Sequence, residues 1–323
     1  MTTVEMVSRA DEHMAEVEAF LRSQLASDDP LMCSVCEYAL DSGGKRLRPG
    51  LVMLSGRLLG AGTQDLLPAA AAVEMIHTAT LLHDDIMDAS PMRRGRLTVC
   101  RRWNPTVAVF AGDYILSRAF HLLSEYGRKD IMSVFSEVTS RLCAGEVLQA
   151  SKRGNLEISV DDYLEIIDFK TAHFLSSCCR VGGLVANAPE PALEALSHYG
   201  KQIGLVFQMT DDLLDYVGDT RETGKDIGAD FREGKYTLPV IMALQAGDET
   251  TERLIGVLTH GDCSDAAFAQ VRTIVIQSGA LDRARAAANE CTQAAVEALD
   301  SLPDGGERDA LRRLALWIAS RTT

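Results

Sequence analysis

The chain has 323 residues, 46% of them hydrophobic and 24% charged, with a formal net charge of −14. This matches an ordinary soluble protein with enough apolar residues for a substantial core, and length alone allows one large domain or two average ones. The acidic balance argues against general attraction to nucleic acid or to anionic membranes, so an anionic substrate must be held by local Lys and Arg or through metal.

Met1-Thr2-Thr3-Val4-Glu5-Met6 is not a basic stretch leading into an apolar run, so no signal peptide is expected. No uncharged apolar stretch reaches the roughly 18 residues of a membrane span. The expected location is the cytoplasm. Of the eight cysteines, Cys33-Ser34-Val35-Cys36 forms a lone CxxC and Cys178-Cys179 are adjacent. A structural zinc would want two such pairs, or one pair with histidines, so these read as buried thiols in a reducing compartment.

In chain order, residues 41–49 are turn-rich and contain Gly43-Gly44-Lys45-Arg46-Leu47-Arg48-Pro49. Residues 66–87 are rich in Ala and Leu without an internal Gly and predict a helix, with Pro68 near its start where proline is tolerated. Residues 91–105 turn again and carry Met92-Arg93-Arg94-Gly95-Arg96. Ser159-Val160-Asp161-Asp162-Tyr163 has the form of a helix start, followed by Tyr163, Ile166, Ile167 and Phe174 at helical period. Residues 218–239 are turn-rich, with Gly224-Lys225-Asp226 and Arg232-Glu233-Gly234-Lys235. Residues 280–299 and 307–319 are helical in pattern, separated by a turn at 302–306. Alternation of period two bounded by hairpin turns is scarce, so the fold class is all-α. Linkers, repeats and low-complexity stretches are lacking, which predicts a single domain over residues 1–323 with a central cavity.

Two clusters carry the chemistry. Leu82-His83-Asp84-Asp85-Ile86-Met87-Asp88 and Phe207-Gln208-Met209-Thr210-Asp211-Asp212-Leu213-Leu214-Asp215 each read Asp-Asp-x-x-Asp within an apolar, helix-forming stretch. Residues four apart share a helix face, so Asp84 pairs with Asp88 and Asp211 with Asp215. Like charges at that spacing repel, and flanks this apolar do not suit a solvated stripe, so a cation is expected for each cluster. Clustered carboxylates are hard ligands that suit Mg²⁺, which at such sites shares its shell with phosphate oxygens. His77, Thr80, Asp84 and Asp88 line one face of the first helix, and Gln208, Asp211, Asp212 and Asp215 one face of the second, with Gly204 a turn earlier. The basic loops beside them offer planar Arg forks and Lys point charges for phosphate. Metal-bridged diphosphate chemistry follows, provided both clusters converge on one cavity.

These residues resemble the trans-isoprenyl diphosphate synthases (the polyprenyl synthetase family), and among them the longer-chain members. The resemblance runs over about residues 38–244 and is carried by Gly43 to Pro49, His77 to Gly95, Gly145-Glu146-Val147-Leu148-Gln149, Phe169-Lys170-Thr171-Ala172, Gly204 to Tyr216, and Gly224 to Pro239. It implies the isoprenoid synthase fold and a prenyltransferase that condenses isopentenyl diphosphate onto an allylic diphosphate. By the same resemblance Lys45, Arg48 and His77 hold the isopentenyl diphosphate, with Arg94 assisting. Asp84 and Asp88 bind two Mg²⁺ and Asp211 a third. Arg93, Lys170, Thr171, Gln208, Lys225 and Lys235 complete the allylic site, and Asp85, Asp212 and Asp215 act behind the metal ligands or through water. His83 is a family position without an assigned role. A homodimer is expected.

Family members with short products carry bulky aromatics four or five residues before the first Asp. Ala79 and Thr80 stand there, so a product of six or more isoprene units, of the kind used for quinone side chains, is expected. The floor of the elongation tunnel would lie near Met132 or Phe135. Leu97 departs from the proline of many members, and the ending Ile318-Ala319-Ser320-Arg321-Thr322-Thr323 only loosely matches their basic tail, leaving Arg321 as a candidate lid residue. The alternatives are a shorter-chain farnesyl or geranylgeranyl diphosphate synthase, a class I terpene cyclase, a non-catalytic synthase subunit, and a His-Asp metal phosphohydrolase using His77 or His83-Asp84. A cyclase needs no isopentenyl site, and a non-catalytic subunit would have lost Asp or Arg ligands.

Overall fold

The computed structural model describes residues 8–41, 43–217, 227–247 and 249–321, with side chains described from residue 13 onward. In order these form α1 Ser8–Gln24, α2 Pro30–Asp41, α3 Leu47–Leu58, α4 Thr63–Met87, β1 Met92–Arg93, β2 Arg96–Leu97, α5 Val99–Arg102, α6 Pro105–Tyr126, α7 Lys129–Lys152 and α8 Val160–Ile167. A π-helical segment Asp168–Ala172 follows, then α9 His173–Val185, α10 Glu190–Val217, α11 Ala229–Arg232, α12 Leu238–Leu244, α13 Glu249–Thr259, α14 Asp265–Gln277, α15 Ala280–Ala298 and α16 Gly306–Ser320. The all-α expectation holds. Among the described residues the only strands are β1 and β2, an antiparallel hairpin too short to show alternation in the sequence.

The chain divides into two compact units. One comprises Met1–Thr139, Ser177–Ser197 and Ser301–Leu311, the other Ser140–Ser176, His198–Asp300 and Arg312–Thr323. In the first, α4 is central and packs along α6, α3 and α1. Its stretch from Leu66 to Ile76 is almost wholly buried, which is why it reads as continuously apolar. By length and composition α4 could cross a membrane, but 72% of that window is buried inside the protein. Pro68 is not in the first turn as expected: the helix starts at Thr63, so the proline lies in its interior. Leu47, Arg48 and Pro49 also form the first turn of α3 rather than a loop, and a proline that early displaces no intrahelical donor.

In the second unit, Tyr163, Ile166, Ile167, Leu213, Tyr216, Phe231 and Phe268 join one apolar core. The start of α8 is a capping box: the Ser159 hydroxyl accepts from the Asp162 N–H at 3.0 Å, and the Asp162 carboxylate accepts from the Ser159 N–H at 3.0 Å. Tyr163, Ile166, Ile167 and Phe174 are all buried, as their period predicts. The helix does not run through them evenly, because the π segment interrupts it.

Candidate active site

In the first unit the cluster lies at the end of α4. Asp84 is half-buried, Asp85 buried and Asp88 exposed, so the i, i+4 pair shares the more open face. Asp85 turns inward and accepts from Arg93 Nε at 2.7 Å. Burial raises the Asp85 carboxyl and the Arg93 charge opposes that rise. Arg93 reaches it because Arg94 and Gly95, with φ of 51° and 77°, fold the chain into a two-residue hairpin turn. Gly44, with φ of 152°, leaves the space taken by the Arg94 guanidinium, which a side chain there would strike.

The three cations of residues 45–48 divide in role. Arg46 is fixed by Glu74 at 2.6 Å, Glu18 at 3.1 Å and the Leu40 carbonyl at 3.0 Å, so it holds the loop. Lys45 is exposed. Arg48 Nη1 lies 3.0 Å from His77 Nε2. Burial, then the charges of Arg48, Arg94, Arg93 and Arg46, lower His77 well below the ordinary imidazole range. The neutral ring accepts from Arg48 at Nε2 and therefore carries its proton at Nδ1, where it can donate to an anion. A pocket here is lined by His77, Arg93, Arg94, Arg46, Glu74 and Asp85 among others. This concentration of positive charge suits an anionic ligand.

Ala79 is buried. Thr80 is half-buried, and its hydroxyl donates to the His77 carbonyl at 2.8 Å. Met132 is half-buried and Phe135 fully buried. His83 Nε2 lies 3.3 Å from the Val109 carbonyl and 3.4 Å from Asp113, which ties it to α6. Both histidines of the phosphohydrolase reading thus have partners other than Asp84.

In the second unit each carboxylate of the α10 cluster has its own partner. Asp211 Oδ1 stands 2.8 Å from Arg321 Nη1, whose guanidinium also lies over the Phe207 ring at 5.3 Å. Asp212 is buried and accepts from the Tyr163 hydroxyl at 2.7 Å and from Gln208 Nε2 at 2.9 Å. Burial first, and then the Asp230 charge, push its carboxyl up to about 8. Asp215 accepts backbone N–H bonds from Gly228 at 2.9 Å, Ala229 at 3.2 Å and Asp230 at 3.3 Å, which caps α11.

A second pocket is lined by Lys170, Gln208, Asp212, Lys235, Gln149 and Arg153 among others. Lys170 Nζ donates to Gln149 at 2.6 Å and pairs with Glu146 at 2.7 Å. Thr171 is buried and its hydroxyl donates to Gln208 Oε1 at 3.2 Å. Lys235 pairs with Glu233 at 2.5 Å. Lys170, Thr171, Gln208 and Lys235 are therefore brought together, whereas Lys225 lies outside the described residues. Sequence reasoning missed Lys152 and Arg153 at this pocket. The signal was Lys152-Arg153-Gly154, a further basic turn, held to the Lys235 loop by the Gly154 N–H donating to the Gly234 carbonyl at 2.9 Å.

Among the described residues no three His, Cys, Asp or Glu are gathered as a metal shell. The donor set nevertheless fits Mg²⁺. Asp84 and Asp88 present hard oxygens on one face, and Asp211 already faces a cationic group; Mg²⁺ commonly completes such a shell with substrate phosphate oxygens.

The polyprenyl synthetase family model matches residues 29–275. The chain belongs to the polyprenyl synthetase family. This synthetase is 36% identical to the octaprenyl diphosphate synthase of Haemophilus influenzae over 99% of this chain and 98% of that one. A decaprenyl diphosphate synthase structure from Rhodobacter capsulatus matches with a TM-score of 0.94 and 38% identity, covering 100% of both chains. A polyprenyl synthase from Caulobacter crescentus CB15, solved with calcium and isoprenyl diphosphate, matches with a TM-score of 0.93 and 36% identity over 100% of this chain and 98% of that one. Relatives named for shorter products also match. The synthetase is a prenyltransferase with the all-α isoprenoid synthase fold, and its family is metal-dependent and uses isoprenyl diphosphates.

Proposed function

We propose that this synthetase builds a long trans-polyprenyl diphosphate by Mg²⁺-dependent, head-to-tail condensation of isopentenyl diphosphate onto an allylic diphosphate. One observation carries the reading: the chain has two cation-lined pockets, one with His77, Arg93, Arg94 and Asp85 and one with Lys170, Lys235, Gln208 and Asp212. Chain elongation needs two diphosphate sites. A cyclase or a phosphohydrolase needs one.

In this reading Lys45, Arg48 and His77, with Arg94, hold isopentenyl diphosphate, the neutral imidazole donating from Nδ1. Arg93, Lys170, Thr171, Gln208, Lys225 and Lys235 hold the allylic diphosphate. Asp84 and Asp88 would hold two Mg²⁺ and Asp211 a third, supplying Lewis-acid stabilisation of charge on the departing diphosphate. Asp85 sets Arg93, and Asp215 holds the first N–H groups of α11. The allylic C1–O bond breaks with its electron pair leaving on diphosphate. The double bond of isopentenyl diphosphate attacks C1, and the adjacent proton passes to the released diphosphate as the new trans double bond forms. Apolar helix faces exclude the water that would quench the cation.

The small Ala79 and Thr80, and the likeness to octaprenyl and decaprenyl synthases, support a product of six or more isoprene units, suited to quinone side chains. The chain passes between its two units at 139/140, 176/177, 197/198, 300/301 and 311/312, which supports one catalytic domain over residues 1–323. Exposed Phe110 on α6 and exposed Val147 on α7 support a homodimer. The eight cysteines are all unbridged, which supports a reducing cytoplasm. Incubation with Mg²⁺, an allylic primer and isopentenyl diphosphate, with the product sized by chromatography, tests the reading. A product ending at fifteen or twenty carbons would sink the long-chain assignment, and elution as a monomer at high concentration would refute the dimer.

A further inference from the structure

Gly145-Glu146-Val147-Leu148-Gln149 has no part in the chemistry above, yet three of its residues face the π segment. That segment is wider than an α-helix: the His173 N–H donates to the Asp168 carbonyl five residues back. A π turn packs less well than an α turn and persists where its surroundings hold it. Here they do so from two sides. A side chain at Gly145 would meet Phe169 Cβ at 2.9 Å and the Lys170 backbone N at 3.3 Å. A side chain at Gly204, on α10, would collide with Ala172 Cα. Lys201 pairs with Asp168 at 3.2 Å, one turn before Gly204. The side chains lifted by this turn are Lys170 and Thr171. Glu146 and Gln149 grip the first, at 2.7 and 2.6 Å, and Gln208 takes the second at 3.2 Å.

We propose that Gly145 and Gly204 are positioning residues for the allylic diphosphate. Their bare backbones admit the π turn between α7 and α10 and so set where Lys170 and Thr171 stand, while Glu146 and Gln149 hold the Lys170 ammonium in place. This rests on the reading of Lys170 and Thr171 as allylic diphosphate ligands. A methyl at either glycine must push the segment away or straighten it, which moves Lys170 relative to Gln208 and Lys235. Groups in the isopentenyl site belong to other elements and stay where they are.

The experiment compares Gly145→Ala, Gly204→Ala, Glu146→Gln, Gln149→Leu and Lys170→Ala with wild type. It reads kcat, the KM of each substrate, the thermal midpoint, and calorimetric binding of the allylic primer with Mg²⁺. For folded glycine variants, primer KM and Kd should rise about tenfold while the KM for isopentenyl diphosphate changes less than about twofold. A general loss of stability would not separate the two substrates. Gln149→Leu and Glu146→Gln involve no backbone collision and should raise primer KM by about threefold with normal thermal midpoints. If Lys170→Ala is impaired but the folded glycine variants bind primer like wild type, the inference is overturned and the site assignment stands. If the glycine variants do not fold, wild-type primer affinity in both Glu146→Gln and Gln149→Leu overturns it. Wild-type primer affinity in Lys170→Ala overturns the site assignment, and the inference with it.

Discussion

Asp84-Asp85-Ile86-Met87-Asp88 and Asp211-Asp212-Leu213-Leu214-Asp215 share one pattern, and the folded chain uses them differently. The first lies at the end of α4, where Asp88 is the C-terminal cap and exposed; the second lies within α10. The middle Asp of the first pairs with the charge of Arg93, whereas the middle Asp of the second accepts from the neutral Tyr163 and Gln208. The last Asp of the first stays on the surface, whereas the last of the second caps α11. Spacing sets which carboxylates share a face. Neighbours from distant parts of the chain decide which remain for a cation.

The largest expected effect lies where the clusters are alike. Asp84→Ala and Asp211→Ala should each lower kcat by about a thousandfold or more with thermal midpoints near wild type, measured at saturating substrates and Mg²⁺. Full activity in Asp84→Ala overturns the metal assignment of the first cluster, and full activity in Asp211→Ala that of the second. The middle positions should then separate the clusters by stability. Asp85→Asn leaves the Arg93 guanidinium, 29% exposed, without its charged partner and should cost about 2 kcal/mol in urea unfolding. Asp212→Asn keeps groups able to bond Tyr163 and Gln208 and should cost less than about 1 kcal/mol. Equal losses would mean that the nature of the partner does not matter.

Local chemistry made much of this legible. The capping box at Ser159, the helical spacing of the Asp pairs and the basic turn at Arg93-Arg94-Gly95 are short-range features, and each is found in the structure. Distant packing hid the rest. Asp168-Phe169-Lys170-Thr171-Ala172 contains no helix breaker, and the backbones of Gly145 and Gly204 that lie against its π turn come from other helices. Arg46 and Arg48 look equivalent in sequence, and only Glu18 and Glu74 assign one to structure and leave the other to His77. Arg321 stands more than a hundred residues from Asp211, and no local pattern joins them.

Charge around the clusters also predicts a pH response. His77 lies among Arg48, Arg94, Arg93 and Arg46, and burial with those charges lowers its proton affinity in the folded state. The unfolded imidazole takes a proton near pH 6.5, so this contribution to stability is present above that value and lost as pH falls. From pH 7.5 to 5.5 wild type should lose about 1.4 kcal/mol relative to His77→Gln. Parallel urea-midpoint curves for the two proteins would show that His77 is not held neutral. At the last positions of the clusters, Asp215→Ala should cost about 1 kcal/mol as a lost cap without altering the Mg²⁺ concentration for half-activation. Asp88→Ala should raise that concentration. Reversed results would exchange the roles assigned to these two residues.

The smallest effect tests an ion pair that a metal on Asp211 would displace. Arg321 and Asp211 side chains are 22% and 19% exposed and 2.8 Å apart, so the guanidinium occupies the face of Asp211 where a cation would bind. A partly exposed pair of this kind contributes up to about 1 kcal/mol. Removing it in Arg321→Ala should lower the thermal midpoint slightly and tighten apparent Mg²⁺ binding by about two- to fivefold, because the metal no longer competes with the arginine. The readout is the Mg²⁺ dependence of the thermal midpoint without substrate, which separates binding from catalysis. Asp84→Ala in the same titration gives the opposite sign, since it removes a ligand rather than a competitor. If Arg321→Ala leaves the curve unmoved while Asp84→Ala shifts it, then Asp211 takes up its cation only together with diphosphate, and the first cluster alone binds metal beforehand.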